Sequence, residues 1–332
     1  MSALSRRRVM QGAGAVGLGL LAGCGQLPGQ APAPTKVPRL GILAAGDASN
    51  PDWEALRAGL LELQYVDGQN IGIVFRSSDG DDARLPSLAA ELVSVPVDLI
   101  VTEGTAGTAA ARAAGNIPIV MVQSGDPVGA GLVASLARPG GTITGLSSFA
   151  PVLSSKRLEL LKETVPGLTR VGVPWIPTNP VHVIQVRQIQ EAGEASGVQV
   201  LSLPVYGSND VEPAFHAATH EGAAGLIVFG DSFFQSERAR IVGLAAQSRL
   251  PVIYNNRQPV DAGGLMAYGP SRSAMFRRGS YYVDRILKGA KPADLPVEQP
   301  REFEFVINLQ MAQALGLTIP QHVLVQATEV IQ

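Results

Sequence analysis

The sequence predicts an α/β protein built from two similar lobes, each around a parallel, doubly wound sheet. Two observations carry that expectation. Short apolar runs alternate with segments of helical spacing from residue 39 onward, and the alternation begins again near residue 154, after the glycine-rich stretch Arg138–Thr142 (RPGGT). A chain of 332 residues also suits two lobes of about 100–200 residues better than one small domain.

In the first series, Arg39–Ala44 (RLGILA) reads as a buried strand, because a parallel strand covered on both faces is nearly continuous in apolar residues. Trp53, Leu56, Leu60 and Leu63 recur at helical spacing over 51–63. Strand 71–75, helix 85–93, strand 98–102, the alanine-rich helix 105–114 and strand 117–122 follow in turn. The second series predicts helices over 154–163, 181–196, 211–219 and 235–248, and strands over 170–173, 198–205, 226–229 and 251–254. One more helix, 271–287, and an alternating strand, 302–307, close the chain.

Composition narrows the function classes. The net charge is −2, and no Lys/Arg run stands outside the N-terminus, so nothing marks a nucleic-acid partner. Aromatic residues make up 5%, too few for a single-strand stacking platform. The first residues read as an export signal, 1–23. Ser5–Met10 (SRRRVM) is a basic, twin-arginine-like start, and an apolar stretch leads to Leu21-Ala22-Gly23-Cys24. That ending resembles a bacterial lipobox. Cys24 is the single cysteine, so it forms no internal disulfide and reads as a lipidation site. Cleavage before it removes three arginines and no acids, taking the net charge from −2 to −5. Residues 24–37 read as a proline-rich tether.

Gly12-Ala13-Gly14-Ala15-Val16-Gly17 matches a dinucleotide-binding pattern. That fingerprint requires a strand before it and a helix after it, so that the pyrophosphate meets the helix start. Three arginines precede it here and the lipobox follows, so it reads as signal. No G-x-S-x-G elbow, P-loop or HExxH occurs. His216 and His220 are four apart without a third ligand or a glutamate base, so they read as a solvated helix face. His182 and His322 stand alone, and Asp79, Asp81 and Asp82 read as a solvated acidic turn. The chain is expected to be no enzyme and to need no cofactor or metal.

Six segments then carry a family resemblance: Glu62–Asn70 (ELQYVDGQN), Leu85–Val93 (LPSLAAELV), Gly125–Val128 (GDPV), Gly131–Gly141 (GLVASLARPGG), Gly263–Pro270 (GGLMAYGP) and Lys288–Pro300 (KGAKPADLPVEQP). In this order they resemble the substrate-binding proteins of ABC transporters, the family that includes tryptophan/tyrosine-uptake lipoproteins, over nearly all of 38–330. The resemblance implies a type I periplasmic-binding fold: two Rossmann-like lobes, three hinge crossovers and a ligand cleft between the lobes. It places lobe one at 38–148 plus 266–296, and lobe two at 149–265 plus 297–332. It favours an aromatic or other amino acid as ligand; an ABC permease is the expected partner, and the chain is expected to be a monomer.

In open α/β sheets the crevice lies beyond the carboxyl ends of the strands. The residues there are Ala45 and Gly46 (before Asp47), Thr105 and Ala106, Ser124 and Asp126, Asp231, and Tyr254 with Asn255; Asn179 sits in a Pro-Thr-Asn-Pro turn. Thr105 and Ser124, with free N–H groups at a helix start, are suited to an anionic end, and Asp231 or Asp126 to an ammonium. Thr105, Asp126 and Asp231 serve equally as helix N-caps, Tyr254 as buried structure, and Asn179 as turn chemistry. Two functions fit this reading. One is solute capture for an importer, and the other is a ligand-sensing lipoprotein that presents its closed form to a membrane receptor. A nucleotide-dependent enzyme fits less well, since the single glycine fingerprint lies in the signal. A repressor of the same fold needs an N-terminal DNA-binding module where this chain carries an export signal.

Overall fold

The computed structural model describes residues 36–46, 48–148 and 150–332. The signal, its glycine pattern, Cys24 and nearly all of the tether lie outside the described residues, as does Asp47. No helix among the described residues is long and apolar enough to cross a membrane.

The first lobe runs β1 (Arg39–Ala44), α1 (Pro51–Glu62), β2 (Gly72–Ser77), α2 (Leu85–Ser94), β3 (Leu99–Glu103), α3 (Gly104–Ala114), β4 (Ile119–Ser124) and β5 (Ile143–Ser147). The strands pair in parallel in the order β2-β1-β3-β4-β5. β3 and β5 are buried along their whole length and β1 and β4 nearly so, as strands covered on both faces must be.

The second lobe begins with α4 (Ala150–Thr164), β6 (Arg170–Trp175), α5 (Pro180–Ser196), β7 (Gln199–Pro204), α6 (Ser208–His220) and β8 (Leu226–Ile227). It continues with α7 (Ser232–Ser236), α8 (Arg238–Gln247), β9 (Val252–Tyr254), α9 (Gln258–Asp261) and β10 (Met266–Pro270). Helix α10 (Arg272–Leu287) follows, then β11 (Phe303–Asn308), α11 (Leu309–Ala314), α12 (Gln321–Leu324) and β12 (Glu329–Ile331). Seven strands form the second sheet in the order β12-β11-β10-β9-β8-β6-β7, parallel except where β11 runs against β10.

Helix α10 belongs to the first lobe. Its Met275, Phe276, Tyr282 and Val283 are buried among Leu40, Trp53 and Leu56. The Phe276 ring meets the Trp53 ring edge-on at 4.8 Å, an arrangement aromatic pairs favour. The chain therefore passes between lobes three times: between Ser148 and Ala150, between β10 and α10, and between Glu298 and β11.

Two lobe boundaries move from the sequence expectation. Met266 and Ala267 pair with β9, so residues 266–270 are a strand of the second sheet rather than the start of the return. Val297 and Glu298 stay with the first lobe. Val297 N–H donates to Leu136 O at 2.7 Å, and Glu298 N–H donates to Gly145 O at 2.9 Å. Backbone pairing fixes both boundaries, and pairing partners distant in sequence leave no mark on local periodicity. The single helix expected over 235–248 is two, broken at Glu237.

Candidate functional site

Strand ends of the two sheets face each other across the cleft. β3 ends in Glu103, which is buried, and Gly104 then turns the chain directly into α3 with φ +73°, a left-handed conformation that glycine adopts without strain. α3 has no side-chain cap, so the first-turn N–H groups near Thr105 and Ala106 keep their donor capacity. Thr105 Oγ1 lies 3.2 Å from Ser124 Oγ at the end of β4. In the second lobe Asn179 caps α5 by accepting from Val181 N–H at 3.0 Å, and Asp231 caps α7 by accepting from Phe233 N–H at 2.8 Å. Asn179 Nδ2 also donates to Asp231 Oδ2 at 2.7 Å. Each side chain caps its own helix, and the pair ties the two helix starts together.

These groups enclose a cavity of about 70 Å³ that takes in Thr105, Ala106, Asn179, Asp231 and Asn255. A wider cleft of about 540 Å³ adjoins it, sharing Glu103, Ser232 and Gln235, and reaches Ala45 and Gly46. Small-molecule pockets start near 300 Å³, so the cavity alone is below that size and the adjoining cleft is within it. Ser124 stands one hydrogen bond behind the cavity.

Two expected residues fall elsewhere. Asp126 accepts from Gly129 N–H at 2.8 Å and closes a turn, outside the residues that line the cavity. Tyr254 is 1% exposed and packs in the second lobe's core, and burial pushes its hydroxyl well above the usual tyrosine range. Successive strand residues face opposite ways, so Asn255 at the cavity goes with Tyr254 in the core.

Arg272, at the start of α10, organises the floor of the cavity. Its Nε donates to Asp52 at 2.6 Å, its Nη2 to Glu103 at 2.7 Å and its Nη1 to Gln123. Burial disfavours its charge, but Asp52 and Glu103 outweigh burial and hold the guanidinium above its ordinary value. Asp52 also accepts from Gln258 Nε2 of the second lobe at 2.8 Å, and the same amide donates to Asn50 at 3.2 Å. The lobes are thus bonded to each other, and the structure is closed.

Arg157, on α4, is the second cation of the cavity. It is 1% exposed, donates from Nε to Tyr268 O at 2.7 Å, and its Nη1 makes no hydrogen bond. Burial lowers it to about 10. Its sequence setting, Lys156-Arg157-Leu158-Glu159, reads as a surface stripe, so periodicity gives no signal for it.

His182, which the sequence leaves alone, backs the cavity wall. Its Nδ1 accepts from Ile176 N–H at 3.0 Å, which puts its proton on Nε2, 3.5 Å from Gly230 O and 3.8 Å from Asp231 Oδ2. Its ring is fully buried between Phe229 and Phe234, and burial lowers its pKa. Asp82 also departs from the solvated turn expected of it. One of its carboxylate oxygens is buried without a hydrogen bond, and burial followed by Asp231, Asp81 and Glu103 pushes it up to about 6.

Two lobes closed over a polar cavity at the strand ends describe a capture device, and comparison with known proteins agrees. The profile of the ABC transporter substrate binding protein family matches residues 42–331. The chain belongs to that family.

It is a family of binding proteins, not enzymes. A "Tyrosine-binding protein" from Clostridioides difficile (strain R20291) is 27% identical over 317 residues, 92% of this chain and 90% of the relative. A solved structure from Streptococcus pneumonia in complex with L-Trp is 28% identical, with a TM-score of 0.82 over 89% of this chain and 99% of that one. A ligand-free, open substrate-binding protein from Clostridium difficile is also 28% identical over 89% and 99% of the two chains, yet its TM-score is 0.64. At equal identity this substrate-binding protein superposes better on the ligand-bound relative, in keeping with its inter-lobe hydrogen bonds.

Proposed function

We propose that this chain is the extracytoplasmic, lipid-anchored receptor of an ABC importer, capturing an amino acid between its lobes and presenting the closed form to the permease. The observation that carries this reading is the closed cavity at the strand ends, in which Thr105 and Ala106 from one lobe face Asn179, Asp231 and Asn255 from the other. A ligand touching both lobes favours closure because only the closed form gives it both sets of contacts. The relatives named for tyrosine and complexed with L-Trp support an aromatic amino acid as the first candidate.

The anchor rests on Cys24, the single cysteine of the chain. Fractionation of cells expressing the full chain tests it: the wild type should sit with the membranes and Cys24→Ser should move to the soluble extracytoplasmic fraction. Uptake of labelled tyrosine and tryptophan by cells with and without the gene tests the importer role. Recovery of both proteins from the cytoplasm would contradict export, and unchanged uptake of both amino acids would contradict them as cargo.

A further inference from the structure

Four charged side chains line the cavity, and three already have charged or capping partners. Glu103 and Arg272 are paired at 2.7 Å, Arg272 also holds Asp52, and Asp231 takes hydrogen bonds from Asn179 and Phe233 N–H. Arg157 differs. A guanidinium carries five N–H donors, and its recorded hydrogen bond runs from Nε to the Tyr268 carbonyl. Nη1 is buried without an acceptor, and no carboxylate pairs with Arg157 among the described residues. A fully buried cation without a counter-ion is costly, and a buried donor left unpaired calls for an explanation.

The same cavity contains the start of α3, which lacks a side-chain cap, at Gly104, Thr105 and Ala106. Free N–H groups and the positive end of the helix dipole favour negative charge there. Two independent features of one cavity, on opposite lobes, therefore lack the same thing.

We infer that Arg157 is the anion anchor of the site, and that the solute is a carboxylate whose negative group meets Arg157 on one lobe and the α3 amides on the other. The guanidinium fork suits a carboxylate because its parallel N–H groups match the two oxygens. Discrimination follows from this arrangement. A solute lacking the carboxylate leaves Arg157 unpaired on closure, so the closed form rejects it. The inference rests on the capture reading above and names the chemical class of what is captured.

The test uses the purified chain and Arg157→Gln, with L-tyrosine, L-tryptophan, glycine and acetate as carboxylate probes, and tyramine and tryptamine as decarboxylated counterparts. Thermal unfolding and calorimetric titration read the binding. The expected result is that at least one carboxylate probe binds the wild type, that its decarboxylated counterpart does not, and that Arg157→Gln weakens binding by at least about 30-fold. Ligand-free Arg157→Gln should melt no lower than the wild type, because the buried charge it removes has no carboxylate partner. Arg157→Lys should recover part of the loss, and it serves as the test if Arg157→Gln fails to fold. Equal binding by wild type and both variants would overturn the anchor while leaving solute capture intact. Binding by tyramine or tryptamine as tight as by the acids would do the same. No binding by any probe would overturn the capture reading, and the anchor with it.

Discussion

The Gln258 amide donates to the Asp52 carboxylate at 2.8 Å, and these two residues belong to different lobes. The bond exists only while the lobes are closed, so its energy enters ligand affinity rather than the stability of either lobe. A hydrogen bond to a charged group contributes about 1.5–3 kcal/mol. Gln258→Ala should therefore weaken solute binding by about 10- to 100-fold and leave the unfolding midpoint of the ligand-free chain nearly unchanged. Titration calorimetry with denaturation of the ligand-free protein checks both halves.

A second closure contact involves Gly125 and Val181. A β-carbon on Gly125 would stand 2.7 Å from Val181 Cγ1 across the cleft. Gly125 is not in the left-handed region, so alanine meets no backbone strain there. Gly125→Ala should weaken binding without destabilising the open form, and adding Val181→Ala should restore much of the affinity. A double-mutant cycle on binding constants measures that coupling.

Arg272 acts on the fold as well as on the site. Removing it leaves Asp52 and Glu103 buried without their shared cation. Breaking a buried pair in this way costs about 3–5 kcal/mol. Arg272→Met should lower stability by that order in urea titration, in contrast to Arg157→Gln, which removes a charge that has no carboxylate partner. The two buried arginines of one cavity should thus differ: loss of Arg272 destabilises the chain and loss of Arg157 does not.

The pH dependence turns on His182. Burial holds its folded-state value below the ordinary 6.5. The unfolded chain therefore binds a proton near 6.5 that the folded chain refuses, and stability falls as pH drops below that point, by at most about 1.4 kcal/mol per pH unit. Asp82 works in the opposite sense. Its folded-state value is pushed up from 3.8 to about 6, so it contributes stability in acid that is lost as pH rises through about 6. In an Asp82→Asn background the acid loss from His182 should stand out, and adding His182→Gln should flatten it. Urea midpoints between about pH 5 and pH 8 read the slope.

Much of the scaffold is visible in the sequence because β1, β3 and β4 are nearly unbroken apolar runs between clear helices. Helix α10 is equally visible as a helix, but its lobe is not. That membership rests on Phe276 meeting Trp53, more than 200 residues away in the chain. β10 hides for a local reason: its run ends in Gly269-Pro270, which reads as a turn. At the site, Thr105, Asn179, Asp231 and Asn255 follow from one rule about strand ends and helix starts. Asp126 obeys the same rule yet spends its carboxylate on the Gly129 turn. Arg157 and Arg272 are the residues a sequence conceals, since an arginine on a polar helix stripe reads as surface until partners more than 100 residues away in the chain cover it.

Capture of a small solute by lobe closure is the function proposed for this chain. Thermal unfolding of the purified chain against the L-amino acids tests it most directly. A ligand at 100 times its dissociation constant should stabilise the folded chain by about 2.7 kcal/mol, a readily measured rise in midpoint. The expected result is a clear rise with one or a few amino acids, tyrosine or tryptophan first among them, and none with the rest. A midpoint that no amino acid moves, at concentrations up to their solubility, would contradict amino-acid capture by this pair of lobes.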